Sequence, residues 1–230
     1  MHSHQSQALV SIIIPTLNEE RNISYLLESL STWAEVEIIV CDGGSSDATV
    51  EVCHSFPVQL LSSSMGRGVQ LNTGAQSAAG EILLFLHADS LPDKRVVDDI
   101  RDAVSNGHLW GCCTLKFNED TPIFRIIACL SNIRSRVFSS CFGDQGIYCQ
   151  RDLYREIGGF PETVFLEDIG FSHQLRRRQM ARVVKGIVTT SSRRFRGEGV
   201  WKTILKNQLI KMLFAFGVKP ERLLKLYKSG

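Results

Sequence analysis

Short, continuous apolar runs alternate with amphipathic stretches through the N-terminal half of the chain. Residues 9–15, 36–41, 58–61 and 82–86 read as strands. The last of these is an unbroken apolar run, the pattern of a strand covered by helices on both faces of a parallel sheet. Between them, apolar residues recur at helical spacing over Ile23, Leu26, Leu27 and Leu30, and again over 49–54. Gly66-Arg67-Gly68 opens a further helix whose small face (Gly74, Ala75, Ala78, Ala79) allows close approach to a sheet. This alternation predicts a doubly wound α/β sheet.

Beyond Pro92 the pattern predicts a helix through Val96, Val97, Ile100 and Val104, a strand over 110–117 and an amphipathic helix over 123–138. A turn at Gly143-Asp144-Gln145-Gly146 leads into a short strand, and Gly158-Gly159 supplies a left-handed stop for a helix over 151–157. Glu167-Asp168 then start a helix, with acids where the helix dipole favours them. A strand over 181–190 and a final helix over 201–216 complete the reading. No repeat or low-complexity linker divides the chain, so one domain is expected. The expected division is a disordered tail at 1–8, a main domain over 9–199 with halves at 9–92 and 93–199, and a helical extension over 200–230 packed on it.

Composition narrows the classes. A formal charge of +2 gives no field that points to nucleic acid. Seven cysteines without a C-x-x-C pair suggest neither a disulfide framework nor a zinc site. No signal-peptide pattern and no long apolar span are present, so a cytoplasmic protein is expected, with peripheral membrane contact through 200–217 as the minority reading.

The candidate chemistry lies at strand ends. Asp42-Gly43-Gly44-Ser45-Ser46-Asp47 follows the second strand and lacks the G-x-G-x-x-G dinucleotide pattern. A strand-end Asp42 can accept from a base or ribose, while the same loop can cap the next helix. Asp89 stands just past the fourth strand, where open α/β sheets bind ligands, or caps a helix beginning near Pro92. With Glu19 at the same edge, three acids would repel one another unless a cation or polar ligand sits among them, and a divalent metal with a nucleotide phosphate fills that need. Arg67 offers an anion contact or is a surface arginine. Glu167 and Asp168 are helix caps or a general base. Arg193, Arg194 and Arg196 can steady a diphosphate or form a solvated basic strand end.

These pieces in this order resemble the family-2 glycosyltransferases of the GT-A fold: Ser11-Ile12-Ile13-Ile14-Pro15-Thr16-Leu17-Asn18-Glu19, Asp42 to Asp47, the glycine-flanked segment 66–74, Leu86-His87-Ala88-Asp89 and Glu167-Asp168. Gly143-Asp144-Gln145, Leu166-Glu167-Asp168 and Gly199-Val200-Trp201 are similar to a compact subgroup named for association with radical-SAM and selenodomain proteins. The resemblance implies a single α/β GT-A domain and an inverting, metal-assisted sugar transfer from a nucleoside-diphosphate sugar to an unidentified hydroxyl acceptor. It implies that Pro15, Thr16, Asn18, Glu19, Asp42, Gly43, Gly44, Arg67, Asn72, His87 and Ala88 bind the nucleotide, and that Asp89 holds Mg²⁺ or Mn²⁺. Asp168, with Glu167, would be the base, and Asp144, Gln145, Arg194, Arg196 and Trp201 would line the diphosphate and acceptor side. The family's Asp-x-Asp element has His87 in its first place here. The rival readings are a nucleotidyltransferase of similar fold and a non-catalytic module that binds nucleotide sugars.

Overall fold

The computed structural model describes residues 9–163 and 165–228; the tail expected at 1–8 lies outside them. One eight-stranded sheet with order β3-β2-β1-β4-β7-β6-β8-β5 organises the chain. Its first half holds β1 (Val10–Thr16), β2 (Val36–Asp42), β3 (Gln59–Ser62) and β4 (Ile82–Phe85), all parallel to one another. β7 (Ile147–Gln150) then runs antiparallel between β4 and β6 (Trp110–Phe117), and β6 pairs in parallel with β8 (Arg182–Thr190). The α/β sheet is thus mixed, with its parallel half where the strand–helix alternation predicted it.

The apolar runs are buried on both sides because helices cover both. Val10, Ile12, Ile14, Leu84 and Leu86 pack with α1 (Glu20–Leu30), α2 (Thr49–His54) and α4 (Val96–Ser105). Ile13, Leu83 and Phe85 face α3 (Arg67–Ser77), α6 (Arg151–Ile157) and α7 (Glu167–Arg176). Alternate β1 residues therefore enter different layers, as a period of two requires. Gly74 lets α3 sit down on the sheet: a Cβ there would lie 2.5 Å from Ile13 and 2.8 Å from the Cys41 sulfur. Pro15 is tolerated in a central strand because β4 has already ended. The Ile13 carbonyl takes Leu86 N–H from the β4 side, and residue 15 faces that same side beyond the last β4 pairing at Phe85.

Three expectations are corrected. The segment after Asp89 is not a helix start but β5 (Ser90–Pro92), paired antiparallel with β8; α4 begins only at Val96, so Asp89 caps nothing there. The basic run after β8 is a helix, α8 (Arg193–Glu198), rather than a strand end. The helix α9 (Val200–Ala215) is not the last, since α10 (Pro220–Lys228) follows. The remaining helix, α5 (Pro122–Phe138), packs Phe124 and Ala128 on Leu115 and Phe117 of β6.

Candidate active site

The C-terminal ends of β1, β2 and β4 open on one edge of the sheet, and the loops there are tied together by their own polar side chains. Asn18, in the left-handed region at φ 56°, accepts Ser46 N–H at 2.8 Å, and its own N–H donates to Ser45 Oγ at 2.9 Å. Thr49 Oγ1 receives Glu19 N–H at 2.9 Å. Beneath these loops, buried Gln70 donates to the Thr16 carbonyl at 2.7 Å and to the Cys41 carbonyl at 2.8 Å, clamping β1 to β2. A Cβ on Gly43 would stand 3.1 Å from the Gln70 amide. Gln70 lies within the glycine-flanked segment 66–74, where nothing in the local pattern marks it as a clamp.

Asp42 is 5% exposed. One oxygen accepts Gly44 and Ser45 N–H, each at 2.9 Å; the other accepts the Ser45 hydroxyl at 2.5 Å and the Thr16 hydroxyl at 3.2 Å. Burial opposes its ionisation, but the bonds from Ser45, Gly44 and Thr16 outweigh that and hold its carboxyl below the usual range. Asp42 is the organiser of its loop, with two donors already on each of its oxygens.

A second set of groups faces this edge. Asp89 lies in the β4–β5 turn, closed by Ser90 N–H donating to the His87 carbonyl at 3.0 Å. Its carboxyl is pushed up by burial and by the nearby Glu19 charge, with Arg193 and Arg67 pulling the other way. Arg193, on α8, stands 3.9 Å from Glu19. Arg67, the first residue of α3, pairs with Glu167 at 3.1 Å. Glu167 is buried, and burial pushes its carboxyl up while Arg67 offsets the shift. Asp168 accepts Gly143 N–H at 3.0 Å and shares its field with Arg67, Asp144 and Lys211.

Local sequence explains how Asp168 is aimed. Leu166 precedes α7 at φ 63°, a strained conformation for a leucine, costing of order 1–3 kcal/mol. The strain is held in place by aromatic packing: Phe160 stacks on Phe171 of α7 at 3.8 Å and meets Phe85 of β4 edge-on at 4.8 Å. Gly68 lets the 158–161 loop reach α3, since a Cβ there would lie 2.6 Å from the Pro161 carbonyl. The end of β4 and the start of α7 are thereby locked together.

His87 is a neutral wall of the cleft. Burial, and secondarily the Arg67 charge, push its imidazole down to about 3, and it lies so close to Gly143 that a Cβ there would be 2.3 Å from Nε2. Among the described residues no group of three or more His, Cys, Asp or Glu side chains is arranged to hold a cation. Glu19 and Asp89 still fit one that takes its remaining ligands from a diphosphate and water, because two adjacent carboxylates are relieved by a cation and Mg²⁺ commonly binds through one or two carboxylates.

The family pattern of glycosyl transferase family 2 matches residues 11–150, more than half of the chain. The chain belongs to glycosyl transferase family 2. It is 30% identical over 109 residues to the poly(ribitol-phosphate) beta-N-acetylglucosaminyltransferase TarS of Staphylococcus aureus, covering 43% of this chain and 19% of that one. It is 31% identical over 97 residues to the glycosyltransferase AglE of Haloferax volcanii, covering 37% and 32%. The match therefore spans a third or less of these relatives. Among solved structures, the mannosyltransferase PcManGT from Pyrobaculum calidifontis, in complex with GDP-Man and Mn²⁺, superposes with a TM-score of 0.66 at 20% identity over 97% of this chain and 70% of that one. TarS 1–349 with UDP-GlcNAc gives 0.58 at 21% identity over 80% and 58%. The fold is that of the GT-A glycosyltransferases.

Within this family 2 chain, the structure separates the predicted residues. Glu19, Arg67, Asp89, Asp144 and Asp168 share one electrostatic neighbourhood. Thr16 and Ala88 are buried beside it. Asn72 is engaged elsewhere, accepting the Tyr154 hydroxyl at 2.6 Å and Phe160 N–H at 2.9 Å, and so anchors the 159–160 turn. Gln145 is fully buried; its carbonyl accepts Arg134 at 2.9 Å and Ser135 at 2.8 Å, which leaves no surface for a ligand. Arg196 turns to Glu119 at 2.7 and 2.9 Å, Arg194 stacks on Tyr227, and Trp201 is mostly exposed. Of the three arginines, Arg193 is the one beside the acids. Lys211 of α9 was not anticipated: it lies 4.2 Å over the Phe142 ring, on which Arg134 also sits at 3.5 Å. Its only sequence signal was a lysine interrupting an apolar helix.

Proposed function

We propose that this family 2 chain transfers a sugar from a uridine or guanosine diphosphate sugar to a hydroxyl acceptor with inversion. Asp168 is the general base, and Asp89 is the carboxylate that holds a divalent metal against the diphosphate. The observation that carries this is the convergence of Asp89 and Asp168, 79 residues apart in the sequence, on one cleft with Arg67 between them electrostatically. A bound metal would act as Lewis acid on the leaving diphosphate. The chain's own groups do the rest. Gly143 N–H holds Asp168 in place to accept the acceptor's proton, Arg67 and Arg193 supply positive charge, and Glu167 fixes Arg67. A single base with in-line displacement needs no covalent intermediate, hence inversion.

The test follows nucleoside diphosphate release from a panel of UDP- and GDP-sugars with Mn²⁺, for the parent, Asp89→Ala and Asp168→Asn. Transfer by the parent, lost in both variants while Asp168→Asn still binds nucleotide, is the expected result. A parent with neither turnover nor thermal stabilisation by any nucleoside diphosphate would sink the reading, and pyrophosphate release from a nucleoside triphosphate would favour a nucleotidyltransferase.

A further inference from the structure

Two helices carry an apolar surface that the cleft does not use. On α5, Ile126, Leu130, Ile133 and Val137 form an outward stripe at helical spacing; on α9, Trp201, Leu205, Leu209 and Met212 form another, continued by Phe216 just past its end. Leu130 is 61% exposed, Leu205 70% and Phe216 81%. Of the sixteen large apolar side chains exposed among the described residues, nine lie on these two helices and Phe216 directly follows α9. That concentration is what separates an interaction face from ordinary scattered exposure.

The helices are brought together at both ends. Val200, opening α9, packs on the Phe117–Phe124 cluster at the start of α5. Lys211 and, ten residues after Phe124, Arg134 share the Phe142 ring. Neither helix contains an aspartate or glutamate; Arg134 and Lys211 are held at the Phe142 ring and Arg125 pairs with Asp120, while Arg136, Lys202 and Lys206 are the further basic side chains along them. Charge decides the occupant. A two-fold pairing of copies sets a patch against itself, which here would press cation on cation with no acid in either helix to answer. An anionic lipid surface satisfies both features at once, taking the apolar stripes into the headgroup boundary and the long basic side chains to its phosphates.

We propose that α5 and α9 together form a docking surface for an anionic bilayer, and that this surface meets the cleft at Phe142. It stands apart from the transferase reading, since neither stripe contributes to the site. The test is co-sedimentation of the full chain with vesicles of phosphatidylcholine alone or mixed with phosphatidylglycerol, at low and high salt. The parent is expected to pellet with the mixed vesicles, less so at high salt. Leu130→Asp and Leu205→Asp, each checked by circular dichroism and melting for an intact fold, should each weaken partition about tenfold or more. A parent that ignores the mixed vesicles, or folded variants that bind as well as the parent, would overturn the proposal. So would light scattering that shows a parent dimer dissolved by the same substitutions without any vesicle binding.

Discussion

The Gly143 backbone N–H donates to the Asp168 carboxylate at 3.0 Å, while the face of Gly143 that lacks a side chain is filled by the His87 imidazole. One glycine therefore joins the β4–β5 turn to the start of α7, and the two segments that carry Asp89 and Asp168 are held in a common frame. Adding a methyl group forces His87 to move. Gly143→Ala is expected to destabilise by about 1–3 kcal/mol and to slow transfer through displacement of Asp168. His87→Ala in the same chain should restore most of the stability, which paired melting curves would reveal; no recovery would mean that the glycine matters for another reason.

Asp168→Asn keeps shape and removes the base. A positioned base contributes about 10²–10⁴-fold, so kcat should fall within that range with nucleotide affinity unchanged. A variant retaining more than a tenth of parental kcat would exclude Asp168 from proton transfer.

Glu167 and Arg67 act as a pair, with Glu167 buried and Arg67 about half exposed. Arg67→Met leaves a buried carboxylate unanswered and should cost about 2 kcal/mol. Arg67→Met with Glu167→Gln should cost less than Arg67→Met alone. Additive losses in a double-mutant cycle would show the pair to be energetically uncoupled.

Lys211 is pushed down to about 8 by burial, with Arg134 adding and Asp144 and Asp168 opposing. Its folded value lies below its unfolded one, so between about 8 and 10.5 the unfolded chain binds the extra proton. Stability contributed at this site therefore rises with pH across that window, by on the order of 3 kcal/mol in total. Replacing the lysine by methionine should flatten this component of a melting-temperature series from neutral to alkaline pH. An unchanged slope would refute the burial of the charge.

Much of this was readable from local pattern. Continuous apolar runs announced strands covered on both faces; the small face of α3 announced close packing, realised at Gly74 against Ile13; and Gly158 closes α6 at φ 81° as a left-handed stop. The segment from Asp89 to Pro92 misled because a proline just before a helical period looks like a helix start. Its strand identity comes from pairing with Thr189 and Thr190, about a hundred residues downstream, and no local signal carries such a partner.

The sequence by itself determined the layered α/β architecture, the family, and which acids stand at strand ends, since hydrophobic period and motif order are local properties of the chain. Only the tertiary structure decided the division of labour among polar residues of the same type. Asn72 and Gln145 are drawn inward by partners in distant segments, Asp42 is saturated by its own loop, and Arg193 rather than Arg196 meets the acids. A side chain's chemistry is set by which groups compete for its hydrogen bonds and how much water reaches it, and both are known only once remote segments have packed.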